Sequence, residues 1–62
     1  MKARDVIKCI KRHGWSLKRV RGSHNHFMHS KMNGLVTVPF HGSKDLHPNI
    51  VNSISKMTGI SF

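Results

Sequence analysis

The chain has 62 residues, and eleven Lys or Arg face only two acids, for a formal net charge of +9. That length supports one small core, so a single domain over residues 1–62 is expected, and the lone Cys9 leaves no internal disulfide to staple it. The charge selects polyanionic partners, nucleic acid first. Two carboxylates, Asp5 and Asp45, are too few for a two-metal nuclease, and each has an ordinary role at a helix start that leaves no pair for glycoside hydrolysis.

Residues 4–12 set Val6, Ile7 and Ile10 at helical spacing with Ala3 one turn earlier, while Arg4, Lys8, Lys11 and Arg12 fall mostly opposite. Gly14 stops this helix after His13, whose ring suits the negative end of the helix dipole. The N-cap is weak, because neither Lys2 nor Ala3 offers a side-chain acceptor. Cys9, beside the apolar stripe, reads as a small boundary residue rather than a nucleophile. Trp15–Val20 and His24–His29 then read as the arms of a hairpin. The Asn33-Gly34 dipeptide is the best two-residue hairpin signal in the chain and leads into Leu35–Phe40, a strand that Pro39 ends or confines to an edge. Residues 41–47 form a loop, with Asp45 expected to cap or support the next helix. Pro48 suits that helix's first turn, Ile50, Val51, Ile54 and Met57 give it an apolar stripe, and Gly59 closes it.

The expected fold class is therefore α+β: helix, three-stranded antiparallel sheet, helix, with both helices on one sheet face and the other face bare. A turn at Asn33-Gly34 pairs Phe27 with Phe40 and His26 with His41, placing Val36, Val38 and Phe40 with Phe27 toward the core. In the first hairpin a two-residue turn would send Ser16, Lys18 and Val20 inward. A three-residue loop, Arg21-Gly22-Ser23, instead buries Trp15 and Leu17, two large apolar side chains worth about 1.5–3 kcal/mol each, and is favoured on that ground. The bare face then carries Lys18, Val20, His24, His26, Met28 and His41.

The chemistry open to this face is limited. The chain has no phosphate-binding Gly-rich loop. Strand alternation turns His29 away, so at most three histidines converge without a supporting carboxylate, and neither a metal nor another cofactor is expected. His24 stands apart because it follows the tight Gly22-Ser23 turn, faces outward and is flanked by cations. A histidine without acids can still cut RNA, because RNA carries its own nucleophile in the 2′-hydroxyl. Imidazole can take or return the proton, help worth about 10²–10⁴ in rate, while Lys and Arg steady the developing charge. DNA lacks that hydroxyl. A non-catalytic RNA-binding module of the same fold is the alternative. A DNA-binding regulator is poorly equipped, since residues 49–58 carry only Lys56 as a cation, and a sheet with its own core argues against a membrane-active peptide. With no long apolar run and no leader legible behind Met1, a cytoplasmic location without a membrane partner is expected.

Gly14-Trp15, Arg19-Val20-Arg21-Gly22-Ser23-His24-Asn25-His26-Phe27, Val36-Thr37-Val38-Pro39 with His41, Lys44-Asp45-Leu46 and the closing Ser53-Ile54, Lys56 and Gly59-Ile60 together resemble the HicA family of toxin–antitoxin systems. The resemblance runs in order through nearly the whole chain, and its Gly-Ser-His-x-x-Phe core is its most specific part. It implies a double-stranded-RNA-binding-like fold and a metal-independent mRNA interferase that cleaves transcripts and blocks translation. It also implies a HicB-type antitoxin that covers the active site. The catalytic histidine falls on His24 and its adjoining glycine on Gly22. Lys18, Arg19, Arg21, Gly22, Ser23, His26 and His41 are the expected RNA-binding residues. The chain departs from the family pattern at Asn25, where a second histidine is common, and at Asn49-Ile50-Val51-Asn52, where the usual arginine is missing.

Overall fold

A computed structural model describes all residues 1–62. The order is α1 (Ala3–Arg12), β1 (Trp15–Arg21), β2 (His24–His29), β3 (Met32–Pro39) and α2 (Pro48–Thr58). The three strands form one antiparallel sheet in the order β1-β2-β3. Both helices bury their apolar stripes on the same sheet face, so the expected α+β architecture holds. Ala3, Val6 and Ile10 of α1 and Ile54 of α2 close over Trp15, Phe27, Val36 and Val38, with Leu46 and Ile60 completing the core. Cys9 packs half-buried at its margin. No helix is long and apolar enough to cross a membrane.

Local chemistry explains the element ends. His13 caps α1, and its Nδ1 lies 2.9 Å from the Cys9 carbonyl oxygen. Pro48 opens α2, where a missing N–H costs nothing, and Gly59 closes it at φ 74°. The cap of α2 is His47, whose Nδ1 accepts from the Asn49 N–H at 3.1 Å. Asp45 does not cap the helix, contrary to expectation. It pairs with Lys2 in an isolated antiparallel bridge and an exposed ion pair of 3.5 Å, while the Leu46 N–H donates to the Met1 carbonyl. The start of the chain is thereby strapped to the loop that enters α2.

The sheet register departs from the sequence expectation in both hairpins. In the first, Arg21 pairs with His24 across a two-residue turn, Gly22-Ser23, with Gly22 at φ 57° in the position where such turns favour glycine. The three-residue loop is not used. Trp15 nevertheless points inward, because the register shifts between Leu17 and Arg19, leaving Lys18 as an extra residue. The bulge serves the apolar residues below it and the arginines above it, a solution that neither simple turn offered. Val20 therefore pairs with Asn25 and leaves the bare face, while Arg19 and Arg21 join it. Leu17 faces the helix side opposite Phe27 but remains 49% exposed, because β1 is an edge strand that the helices do not reach there.

In the second hairpin the chain turns early, at Ser30-Lys31, and His29 pairs with Met32. The His29 ring explains the early turn. Its Nδ1 accepts from the Lys31 N–H at 3.0 Å, its Nε2 donates to the His13 carbonyl at 2.9 Å, and it stacks edge-on against Trp15 with centroids 5.2 Å apart. Asn33-Gly34, the expected turn, lies instead in a register shift opposite Met28, with Gly34 at φ 87°. Phe27 consequently pairs with Val36, not Phe40, and His26 pairs with Thr37, not His41. The displacement is four residues, an even number, so Val36 and Val38 keep the inward face expected of them. Phe40 does not join the core; it lies beyond β3 and is 38% exposed. Met57 also leaves its expected place in the apolar stripe and is exposed on α2.

Candidate active site

Two cross-strand rows define the bare face near the first turn. Arg21, His24 and Pro39 form one row, and Arg19, His26 and Thr37 form the next. Directly paired residues share a face and lie side by side. The rows alternate along β2 with Asn25 and Phe27, which face the helices. His24, Arg19 and Arg21 are exposed, whereas His26, Thr37 and Pro39 are half-buried.

The two histidine rings stand edge to face, with centroids 6.5 Å apart and planes at 89°. His26 Nδ1 lies 2.8 Å from Thr37 Oγ1, a hydrogen bond whose direction follows the ring's tautomer. Partial burial holds the pKa of His26 below its ordinary 6.5, and the positive charges of Arg19, His24 and Arg21 push the same way. His26 is thus predominantly neutral at neutral pH. The second row therefore presents a largely uncharged imidazole beside cations, next to an exposed one.

The remaining expected residues divide by position. Gly22 and Ser23 form the turn directly above His24; no atom stands within 4 Å of where a Cβ at Gly22 would lie, so that edge of the site is open to a ligand. The Ser23 carbonyl accepts from the Phe40 N–H at 2.6 Å, which extends the β2–β3 ladder toward the turn and brings His41 past the Gly22-Ser23 end of the sheet rather than beside His26. Lys18 occupies the bulge, apart from the two histidine rows. No three His, Cys, Asp or Glu side chains are gathered so that they could hold a metal ion. Thr37 is a residue of this face to which sequence reasoning gave no task. The alternation signal was present, but the displaced register hid its pairing with His26.

The face can therefore offer one exposed imidazole, one neutral and anchored imidazole, and two guanidinium groups, with a glycine turn at its rim. That set suits proton transfer beside a bound phosphate. No curated protein shows significant similarity to the chain. The family model described as the HicA toxin of bacterial toxin–antitoxin systems matches residues 3–60, all but the first two and last two positions. The chain belongs to the HicA toxin family.

Proposed function

We propose that this toxin is a metal-independent endoribonuclease, an mRNA interferase, in which His24 transfers protons at the cleaved phosphodiester. The observation that carries this reading is the pairing of His24 with a neutral His26 between Arg19 and Arg21, on the open sheet face of a chain from this family.

The chemistry follows from the state of each ring. With the Nδ1 proton of His26 donated to Thr37 Oγ1, Nε2 presents a lone pair to a 2′-hydroxyl. It takes that proton as the 2′-oxygen attacks phosphorus, and the 5′-oxygen departs with a proton from His24. The products are a 2′,3′-cyclic phosphate and a free 5′-hydroxyl. Arg19 and Arg21 hold the phosphate backbone and offset the charge on the pentacoordinate transition state. Gly22 and Ser23 let the backbone approach closely, Lys18 extends the cationic track, and His41 adds a polar ring beyond the turn. No step draws on a cofactor.

As a member of a toxin–antitoxin family, the chain is expected to have a cognate antitoxin. A HicB-type protein that covers His24 and brings carboxylates to Arg19 and Arg21 fits a surface of this charge. Both the mRNA substrate and that partner belong to the cytoplasm.

The deciding experiment is paired. Wild type and His24→Ala are incubated with a long RNA in EDTA, and the fragments and their ends are resolved. Cleavage by wild type alone, leaving cyclic phosphate ends, is expected. Equal cleavage by both would remove His24 from the mechanism. Binding without cleavage by either would make the chain an RNA-binding module.

A further inference from the structure

A polar depression lies on the sheet, farther along β2 from the histidines. Its origin is the coincidence of two irregularities. On β1 the extra residue is Lys18, and on β3 the three residues Asn33-Gly34-Leu35 stand opposite a single β2 position. The first falls opposite the step from His26 to Phe27, and the second falls opposite Met28, so the two lie one step apart along β2. The sheet opens there into a hollow of about 370 Å³ lined by Lys18, Met28, Ser30 and Asn33 among others. A bulge re-aims side chains, and two bulges on either side of one stretch of β2 break the flat pleat there.

The lining is chemically suggestive. Met28 is 41% exposed and belongs to the alternating set His24, His26, Met28, so its thioether faces the same way as both imidazoles. Lys18 forms no ion pair, since the one ion pair of the fold joins Lys2 and Asp45. The side-chain hydrogen bonds of the fold engage none of Lys18, Ser30 and Asn33. An exposed thioether, an amide, a hydroxyl and an ammonium are thus gathered in one hollow without internal partners.

We infer that this hollow is a nucleobase subsite that takes an unstacked base of the RNA flanking the cleaved bond, with adenine as the preferred occupant. This inference rests on the ribonuclease reading for its ligand, and it adds a source of sequence preference that the two histidine rows do not supply. The Met28 sulfur offers a polarisable surface for the flat face of a base. The Asn33 amide places a donor beside an acceptor, the pattern complementary to the N6 amino group and N7 of adenine. Lys18 meets the phosphate that precedes or follows that base. Met28 lies about 13 Å along the strand from His24 at ~3.3 Å per residue, so the base it receives is not the one at the cleaved bond. Sequence-selective RNA recognition works on such splayed single-stranded bases, read at their edges.

The test separates this inference from the reading on which it rests. His24→Ala protein, with and without Asn33→Ala, is titrated with short single-stranded RNAs that differ at one position at a time, and wild-type and Asn33→Ala cleavage sites are mapped on one long RNA. The expected result is a preference for adenine at one flanking position, about fivefold or more in affinity, that Asn33→Ala abolishes. Asn33→Asp keeps the shape of the side chain, replaces the donor with a second acceptor and should lose the same preference, which guards against a folding artefact. Cleavage with an unchanged site pattern in both Asn33 variants would overturn the subsite and leave the ribonuclease intact. Adenine preference lost on Asn33 substitution, in a protein that never cuts RNA, would overturn the ribonuclease and uphold the subsite. Absence of single-stranded RNA binding would overturn the subsite whatever the cleavage assay shows.

Discussion

Gly14→Ala is the substitution whose cost the structure specifies most closely. Gly14 joins α1 to β1 at φ 94°, and a Cβ built there would stand 2.7 Å from His29 Nε2. Positive φ costs a non-glycine residue about 1–2 kcal/mol. The clash also displaces the His29 ring, whose Nε2 proton goes to the His13 carbonyl; a hydrogen bond of this kind contributes about 1 kcal/mol. The same movement disturbs the edge-on stacking on Trp15, worth about 0.5–1.5 kcal/mol. The expected loss is about 3 kcal/mol. A domain of this size has roughly 3–9 kcal/mol in all, so a large part of its stability goes. Gly22→Ala is the control: its φ is 57° and its Cβ would meet nothing within 4 Å, so only the backbone cost of about 1 kcal/mol applies. Thermal unfolding followed by circular dichroism reads the difference. At about 4–8 °C per kcal/mol, Gly14→Ala should melt more than ~10 °C below wild type and clearly below Gly22→Ala. Equal melting temperatures for the two variants would refute the claim that His29 anchors the first helix to the sheet.

Other consequences can be checked on the same protein. His24→Ala should lower RNA cleavage by about 10²–10⁴ while leaving the melting temperature near wild type, since its side chain is exposed. If His26 is the base, cleavage should hold at neutral pH and fall on acidification below 6.5, as the ring takes up a proton at its lowered pKa; a rate that rises over that range would assign it the acid's part. Thr37→Val should slow cleavage by disordering the His26 tautomer, and should alter the pH profile more than RNA affinity. Arg19→Ala and Arg21→Ala should each weaken RNA binding and reduce the slope of log affinity against log salt by about 1, whereas a base-reading role would leave the slope unchanged. Lys2→Ala should cost less than about 1 kcal/mol in urea unfolding from its ion pair, because Asp45 is largely exposed.

Much of the architecture was legible because it follows from one-dimensional period and punctuation. The stripe of Ala3, Val6 and Ile10, the proline at the start of α2 and the glycine at its end need no tertiary information. Pairing register does need it. Asn33-Gly34 is a stronger local turn signal than Ser30-Lys31, and what overrides it is the His29 ring, held between the Lys31 N–H, the His13 carbonyl and the Trp15 indole. Those contacts join residues up to sixteen positions apart, so no local rule reports them. The face assignment of β3 survived the error because a shift of four residues preserves alternation. On β1 it survived for Trp15 and Leu17 but not above Lys18, because the single extra residue exchanges the faces of Arg19, Val20 and Arg21. His24 was recognisable from its turn and its cationic surroundings, but the lowered pKa of His26 depends first on its burial in the folded sheet and then on two arginines that the two-residue turn brings to its side.

That bulge gives β1 two duties with opposite demands. Below Lys18 the strand reads as the edge of a hydrophobic core; above it, the same strand reads as one wall of a cationic channel. A strand without the extra residue could satisfy only one of these, because its two halves would be locked in phase. Deleting Lys18 would therefore do more than remove a charge. It would force a choice between turning Trp15 out into water and turning both arginines away from the histidines. Stability and chemistry in this small chain are geared together through one residue, and variation at that position should be far freer in side chain than in length.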